Sequence, residues 1–325
     1  MHRIAGFLGL LTIATLVLPA SKPSHAEDYP TRHVRIITAG AGTFADIIAR
    51  HMAHRLSTMW GRAVIVENHP AAALTIGTNM VAHARPDGYT LLLADRSPLT
   101  TAPVLYKHLS YDPVRDLRPI TLIARAPAIL AVSSSIPVDT LRDFIAYARQ
   151  QQEPILFASA GNGTMVHLAG ALFGLLAHAN IQAIQYRGGT ESSMAVLRNE
   201  AKFTFGSMPA IWPHVKAGHM KALAVASATR LPSLPDIPTC AEAGLPGMEA
   251  EQWTAMLVPA GTPDQIAVKL NHDIVAILHD PTFKEMLRTQ GAEAAPGTPE
   301  ELASFIASER SRLQDLVNKT HLSID

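Results

Sequence analysis

Two short segments of the sequence combine glycine, threonine and one polar side chain at the same spacing. The first is Thr38-Ala39-Gly40-Ala41-Gly42-Thr43 followed by Asp46, and the second is Ser159-Ala160-Gly161-Asn162-Gly163-Thr164 followed by His167. Glycine lets the backbone approach a ligand closely, and the free N–H groups at the start of a helix attract anions. These segments could therefore hold a carboxylate without a charged side chain.

Each segment also has a purely structural interpretation. Thr43 and Asp46 have the spacing of a capping box, in which the carboxylate satisfies a backbone donor of the first helical turn. Many loops between a strand and a helix contain glycine and a cap without binding anything. Two such loops at matching positions of two similar units nevertheless favour a ligand cleft between the units.

Signals for other kinds of chemistry are weak. Gly40 and Gly42 lack the third glycine of a dinucleotide fingerprint, and the pair His51 and His54 has no third metal ligand nearby. We therefore expect no cofactor, no metal ion and no catalytic residue.

The elements that must position the two loops alternate regularly. Short apolar strands and longer amphipathic helices follow each other from Val34 to Ala94 and again from Ile129 to Ala226. This order predicts an α/β fold with two lobes, each a mainly parallel sheet flanked by helices. We place lobe 1 at residues 27–123 plus 250–325 and lobe 2 at residues 124–249.

The first residues have the pattern of a secretory signal. Arg3 precedes the uncharged run Ile4–Ala20, and Ser24-His25-Ala26 matches a cleavage site. We predict a signal peptide over residues 1–26, removed after Ala26, and a location in the periplasm; a membrane anchor is the alternative. With 27 basic and 27 acidic residues and one cysteine, the chain has no charge excess for nucleic acid and no internal disulfide.

Several ordered segments give the chain a specific resemblance to a known family. They include Pro86–Leu92, Tyr111–Pro113, Ala158–Thr164, His167–Gly170, Tyr186–Gly188, Leu234–Thr239 and Pro259–Pro263. In these segments the sequence resembles the substrate-binding proteins of tripartite tricarboxylate transporters, also called Bug receptors. The resemblance runs from Tyr29 nearly to the C-terminus, and it implies a two-lobed periplasmic-binding-protein fold of the Venus-flytrap kind, type II.

The resemblance also implies where the ligand binds, since members of this family hold a carboxylate mainly through backbone groups and water. The implied positions are Thr38–Thr43 with Asp46, Ser159–Thr164 with His167, the loop Asp95, Arg96 and Ser97, and the pair Gly206 and Ser207. Several positions depart from the family pattern, two of them within the implied site. Ala39 stands where relatives have an aromatic residue, and Gly206 stands where they usually have aspartate.

Arg96 could compensate for the altered first loop. An arginine in a cleft can bind a carboxylate through two parallel hydrogen bonds. The alternative is a surface ion pair between Arg96 and Asp95 or another neighbour.

Together these features predict a receptor, expected to be a monomer, that closes two lobes around a small organic acid. It would deliver the solute to a membrane permease of the tripartite tricarboxylate type or report it to a sensor. Two alternatives stay open at this point. One is an exported hydrolase or isomerase in which His167 exchanges protons with Asp46 or Asp95, and the other is a degenerate receptor that binds only a partner protein.

Overall fold

The computed structural model describes residues 29–69 and 74–320, so the predicted signal peptide lies outside the described residues. The strands are β1 (Val34–Thr38), β2 (Val64–Asn68), β3 (Thr90–Asp95), β4 (Leu117–Pro127), β5 (Ile129–Ser133), β6 (Ile155–Ser159), β7 (Ile181–Gln185), β8 (Phe203–Gly206), β9 (Met220–Val225), β10 (Glu251–Pro259) and β11 (Glu293–Ala294). The helices are α1 (Phe44–Trp60), α2 (Thr75–Ala82), α3 (Ala102–Leu105), α4 (Leu141–Gln150), α5 (Met165–Ala177), α6 (Gly189–Leu197), α7 (Met208–Lys216), α8 (Asp264–His279), α9 (Pro281–Thr289) and α10 (Pro299–Thr320). None of these helices is both long and apolar enough to span a lipid bilayer.

The strands form two separate sheets, in the orders β11-β4-β10-β3-β1-β2 and β7-β6-β8-β5-β9. Among the strands of residues 29–69 and 74–320, β1 pairs in parallel with β2 and β3, and β6 pairs in parallel with β7 and β8. The remaining strand pairs are antiparallel. In the first sheet β10 lies between β3 and β4, and β11 pairs with β4; in the second sheet β5 lies between β8 and β9. The α/β class is confirmed, but the sheets are mixed rather than mainly parallel.

The residues of β1 explain why helices cover both faces of the six-stranded sheet. Successive side chains of a strand point to opposite faces, so Ile36 and Ile37 enter different clusters. Ile36 packs with Ile48 of α1 and Leu270 of α8, whereas Ile37 shares a cluster with Ile306 of α10. The continuous apolar run of β1 is therefore that of a strand buried on both faces.

The five-stranded sheet is built around phenylalanines. The ring centroid of Phe203 lies 5.2 Å from Phe144, 5.5 Å from Phe157 and 5.3 Å from Phe173. Gly170 of α5 lies against this cluster, and a Cβ atom placed there would come within 2.2 Å of the Phe157 ring. The missing side chain at position 170 is what lets α5 pack this closely on the sheet.

The chain passes from one sheet to the other at Ala128 and returns at Ala250. Ala128 N–H donates to the carbonyl of Ala250 (2.9 Å), and Ala250 N–H donates to that of Ala226 (2.9 Å). Ala226 N–H in turn donates to the carbonyl of Ala128 (2.8 Å). These backbone bonds join the two crossing segments and the end of β9 at one narrow point.

Helix α10 provides a further link between the two units. Leu302 and Ile306 in its first half pack on the six-stranded sheet. Leu313 and Leu316 in its second half contact Leu168 of α5, which belongs to the other unit. The last helix therefore lies across both units.

Gly170→Ala should destabilise the protein, because the added methyl group does not fit against Phe157. Overpacking of this kind costs about 1–3 kcal/mol. Gly189→Ala is the matched control, since nothing lies within 4 Å of a Cβ atom at that helical position, and alanine there should be neutral or gain up to about 1 kcal/mol. Urea unfolding measures both variants, and equal free energies of unfolding would contradict the packing described.

Candidate functional site

The first loop, between β1 and α1, is held by its own hydrogen bonds. Asp46 N–H donates to Thr43 Oγ1 (3.3 Å), and the Thr43 hydroxyl donates to the carbonyl of Gly40 (2.8 Å). Gly42 N–H donates to Asp46 Oδ2 (2.9 Å), so the carboxylate reaches the residue before the cap rather than the cap itself. Gly42 has a φ of 76°, which glycine adopts without strain. The expected capping motif is present in this shifted form.

The second loop, between β6 and α5, repeats these bonds one for one. His167 N–H donates to Thr164 Oγ1 (3.3 Å), and the Thr164 hydroxyl donates to the carbonyl of Gly161 (2.7 Å). Gly163, with a φ of 72°, donates its N–H to His167 Nδ1 (3.1 Å). The imidazole therefore occupies the structural position that the Asp46 carboxylate has in the first loop.

Both loops leave the same backbone donors free. In residues 29–69 and 74–320, no acceptor lies within hydrogen-bond reach of the N–H groups of Ala41 and Phe44, or of Asn162 and Met165. Unpaired N–H groups at the start of a helix carry a partial positive charge and suit an anion. Each loop can therefore contribute two donors to one carboxylate.

The other loop residues differ in exposure. Thr38 is buried and donates its hydroxyl to the carbonyl of Leu93 (2.9 Å), and Ser159 is buried with its hydroxyl near the backbone of Gly161. Residues 39 and 40 are half-buried and residues 41–43 exposed, whereas residues 160, 161, 163 and 164 are half-buried and only Asn162 is exposed. The second loop is thus the more enclosed of the two.

Asp46 is buried, and protein donors occupy its carboxylate. Asn68 Nδ2 donates to Asp46 Oδ1 (2.7 Å) and to the carbonyl of Ala39 (2.7 Å), and Arg50 Nε donates to Oδ2 (3.1 Å). Burial raises the pKa of Asp46, but hydrogen bonds from Asn68, Gly42 and Arg50 outweigh it and hold the pKa below its usual value. Asp46 therefore shapes the loop.

Asn68 was not among the expected site residues. It lies at the end of β2, which pairs with β1, and this position beside the first loop is the signal from which it could have been predicted.

His167 is a neutral hydrogen-bonding group in this arrangement. Because Nδ1 accepts from Gly163, the ring carries its proton on Nε2. Burial lowers the pKa of His167, which favours the same neutral form. Among the described residues Nε2 has no acceptor, and neither Asp46 nor Asp95 contacts the ring. The acid–base pair needed by the hydrolase or isomerase alternative is therefore not assembled.

The loop after β3 places its three expected residues differently. Ser97 N–H donates to Asp95 Oδ1 (2.8 Å), and burial raises the pKa of the half-buried Asp95. Arg96 is only 8% exposed, and its Nε is buried without an acceptor in the described part of the chain. The alternative of a surface ion pair is therefore wrong. The Arg96 side chain lines a cavity beside α5 and α10, which Met165 at the start of α5 also lines.

Gly206 and Ser207 end β8 and begin α7. Gly206 is buried, and a Cβ atom there would come within 2.6 Å of the Ile211 side chain. This position has no room for the aspartate that the resemblance associates with it. Ser207 is exposed, and it offers only its hydroxyl and its backbone.

Two α/β units joined by crossing strands, each with free N–H groups at a helix start, define a class of solute receptors that hold small anions. The model of the tripartite tricarboxylate transporter family receptors matches residues 48–322, and the chain belongs to that family. The resemblance found in the sequence is thereby confirmed.

Individual relatives span the whole receptor. BugT of Bordetella pertussis is 33% identical over 322 residues, which cover 98% of each chain. Among solved structures, Rpa4515 of R. palustris with adipate is 32% identical, with a TM-score of 0.80 and coverage of 91% of this chain and 99% of that one. MatC from Rhodopseudomonas palustris, with bound malate, is 28% identical, with a TM-score of 0.74 and coverage of 89% and 100%.

Asp46→Asn should lower the free energy of unfolding at neutral pH by about 1–3 kcal/mol, because hydrogen-bond donors around the carboxylate lose their acceptor. A carboxyl with a lowered folded-state pKa stabilises the protein above its unfolded-state pKa, and this contribution is lost as pH falls through the folded value. Measured by urea unfolding, the difference in free energy of unfolding between wild type and Asp46→Asn should shrink as pH falls through the acid range. Asp236→Asn, at an exposed aspartate, is the control; a difference independent of pH would contradict this role.

The pKa of His167, measured by NMR titration, should lie below its usual value, and nitrogen shifts should show the Nε2–H tautomer. The neutral ring stabilises the folded state above the ordinary histidine pKa, and this contribution is lost as pH falls through the lowered value. The Gly163 amide signal should shift with the same midpoint, since protonation of Nδ1 breaks its hydrogen bond. His167→Gln assigns the signal, and a raised pKa would refute the assigned bond.

Proposed function

We propose that this receptor captures a small organic molecule through a carboxylate bound by the free N–H groups of the two loops. The observation that carries the proposal is the repeated geometry: Ala41 and Asn162, and likewise Phe44 and Met165, present unpaired donors at equivalent positions. Hydrogen bonds from backbone N–H to a charged acceptor are stronger than neutral ones. The neutral Nε2–H of His167 adds a side-chain donor beside the second loop.

The receptor would work by closing two lobes, residues 27–123 plus 250–325 and residues 124–249. The crossing at Ala128 and Ala250 is narrow enough to act as a hinge. A ligand that touches both loops at once gains contacts only in the closed form, so it shifts the equilibrium towards closure.

The nature of the ligand is supported by the relatives. Rpa4515 was solved with adipate and MatC with malate, both of which carry two carboxylates. At the first loop of this chain Ala39 is small and residues 41–43 are exposed, so this loop leaves more space than a loop closed by an aromatic side chain. We therefore infer a carboxylate ligand that differs in shape from the usual ligands of the family.

Location and partners follow from the same family. Solved relatives include a periplasmic binding protein. We infer that residues 1–26 direct export and are removed after Ala26, and that the mature receptor delivers its solute to a membrane permease of the tripartite tricarboxylate type. Binding without turnover is expected, and mass spectrometry of the recovered ligand tests this directly.

Asn162→Pro should weaken carboxylate binding, because proline removes the free N–H of the second loop while Asn162→Ala keeps it. Loss of a hydrogen bond to a charged group costs about 1.5–3 kcal/mol, or roughly 10- to 100-fold in Kd. Adipate and malate are the first probes, screened by thermal shift and measured by calorimetry. Circular dichroism establishes that the proline variant is folded.

The two variants separate the possible outcomes. Weaker binding in Asn162→Pro with unchanged binding in Asn162→Ala supports a backbone site. Equal binding in both variants would show that the second loop does not hold the carboxylate. Absence of stabilisation by any mono-, di- or tricarboxylate would favour the degenerate receptor with only a protein partner.

A further inference from the structure

A groove of about 440 Å³ lies on the surface of the second unit, at the end of α5 that is far from the second loop. It is bordered by one face of α4, by Leu176 of α5 and by residues 243–246. Leu176 follows Met165 by eleven positions in α5, which is about 16 Å along the helix axis at 1.5 Å per residue. Leu176 also lines the cavity beside α10, but the two spaces share no other described residue. No residue of the candidate functional site lines the groove, so it is a separate surface.

Helix α4 presents two arginines on the face that borders the groove. Arg142, Ile145, Ala146 and Arg149 have the spacing i, i+3, i+4 and i+7, which places them on one side of the helix. The backbone positions of the two arginines are about 10 Å apart at 1.5 Å per residue. Ala146 is exposed, and its small side chain leaves space between the two long ones.

The charge of these arginines is not neutralised within the groove. Arg142 is exposed, and it makes no hydrogen bond and no ion pair within residues 29–69 and 74–320. Arg149 Nε donates to the carbonyl of Ala177 (2.7 Å), a neutral acceptor that positions the side chain and leaves its charge in place. None of the residues that line the groove is acidic.

Two carboxylates close to the groove in the sequence are bound elsewhere. Asp143 accepts a hydrogen bond from the hydroxyl of Thr140 (2.7 Å) at the start of α4. Glu242 forms an ion pair with Arg230 (2.8 Å). Two unpaired cations without a counter-charge favour an anionic partner, because opposite charges attract across an interface.

The floor of the groove is apolar. Ile145 and Leu245 are buried there, and Leu176 is half-buried. Ala146 and Pro246 are exposed at the rim, so the groove is open to solvent. A small-molecule site would enclose most of its ligand. An open groove with an apolar floor instead suits an amphipathic segment of another protein, which lays its apolar face into the groove.

We propose that this groove docks a partner protein through an acidic amphipathic helix. Apolar side chains of the helix fill the space over Ala146, and an acidic side chain on each side of them pairs with Arg142 and with Arg149. Two acids seven positions apart on such a helix have the same spacing as the two arginines, because both helices rise by the same amount per residue. This inference does not depend on the proposed function, since it uses no group of the candidate functional site.

A synthetic helical peptide is the probe. It has about 18 residues, which is long enough for a helix to form, with two glutamates seven positions apart and leucines at the third and fourth positions between them. The same peptide with glutamine in place of both glutamates is the neutral counterpart. Fluorescence anisotropy with the purified protein should show saturable binding of the glutamate peptide, and binding of the glutamine peptide should be weaker by at least about tenfold.

Two variants of the protein test the charge and the space separately. Arg142→Glu should weaken binding of the glutamate peptide by at least about tenfold, because it replaces attraction by repulsion. Ala146→Trp should also weaken it, since the indole fills the space without changing the charge. Both positions are exposed, so circular dichroism should show folded proteins. Arg85→Glu is the matched control, at an exposed arginine of the first unit that has no partner among the described residues, and it should bind the peptide like wild type.

The proposal is overturned if the glutamate peptide does not bind saturably, or if the glutamine peptide binds as tightly. It is also overturned if Arg142→Glu and Ala146→Trp bind like wild type, or if Arg85→Glu loses as much affinity, because the attraction would then not be specific to the groove. Vesicles of phosphatidylglycerol test a lipid surface, and their binding through Arg142 without binding of the peptide would assign the groove to a membrane instead. Excess adipate should leave the peptide bound, and displacement would contradict a separate surface.

Discussion

The first N–H groups of a helix have no partner within the helix, and the protein must satisfy them or use them. At α1 and α5 it does both. The glycine before each cap donates its N–H to the side chain of the third helical residue, Asp46 or His167. This bond holds the glycine in its left-handed conformation, and the N–H groups of the residues on either side of the cap stay without a partner in the described part of the chain. Everything that we assign to the site depends on this local arrangement.

The third helical residue is an aspartate in the first loop and a histidine in the second, and this difference in charge affects how well each loop can bind an anion. Asp46 is negative, and it is tolerable beside an anion site because Arg50 offsets its charge and Asn68 donates a hydrogen bond to it. His167 is neutral and keeps a free Nε2–H. The second loop is therefore both the more enclosed and the electrostatically better partner for a carboxylate, whereas the first loop contributes donors from a more exposed position.

Features that depend on residues close together in the sequence could be predicted from it, whereas features that depend on distant residues could not. The two loops were predictable because the cap, the glycines and the third helical residue lie within nine positions of each other. The buried strand β1 was predictable from its apolar run. The mixed pairing was not, since β10 joins β3 and β4 from more than a hundred residues away. The orientation of the Arg96 side chain was equally unpredictable from the sequence, because it depends on where α10 packs.

The position of Arg96 links the local and the long-range parts of the structure. The chain crosses between the two units at Ala128 and Ala250, and α10 lies across both of them. Arg96 and Met165 line one cavity, so the loop after β3, the start of α5 and the second half of α10 meet at a place to which both units contribute.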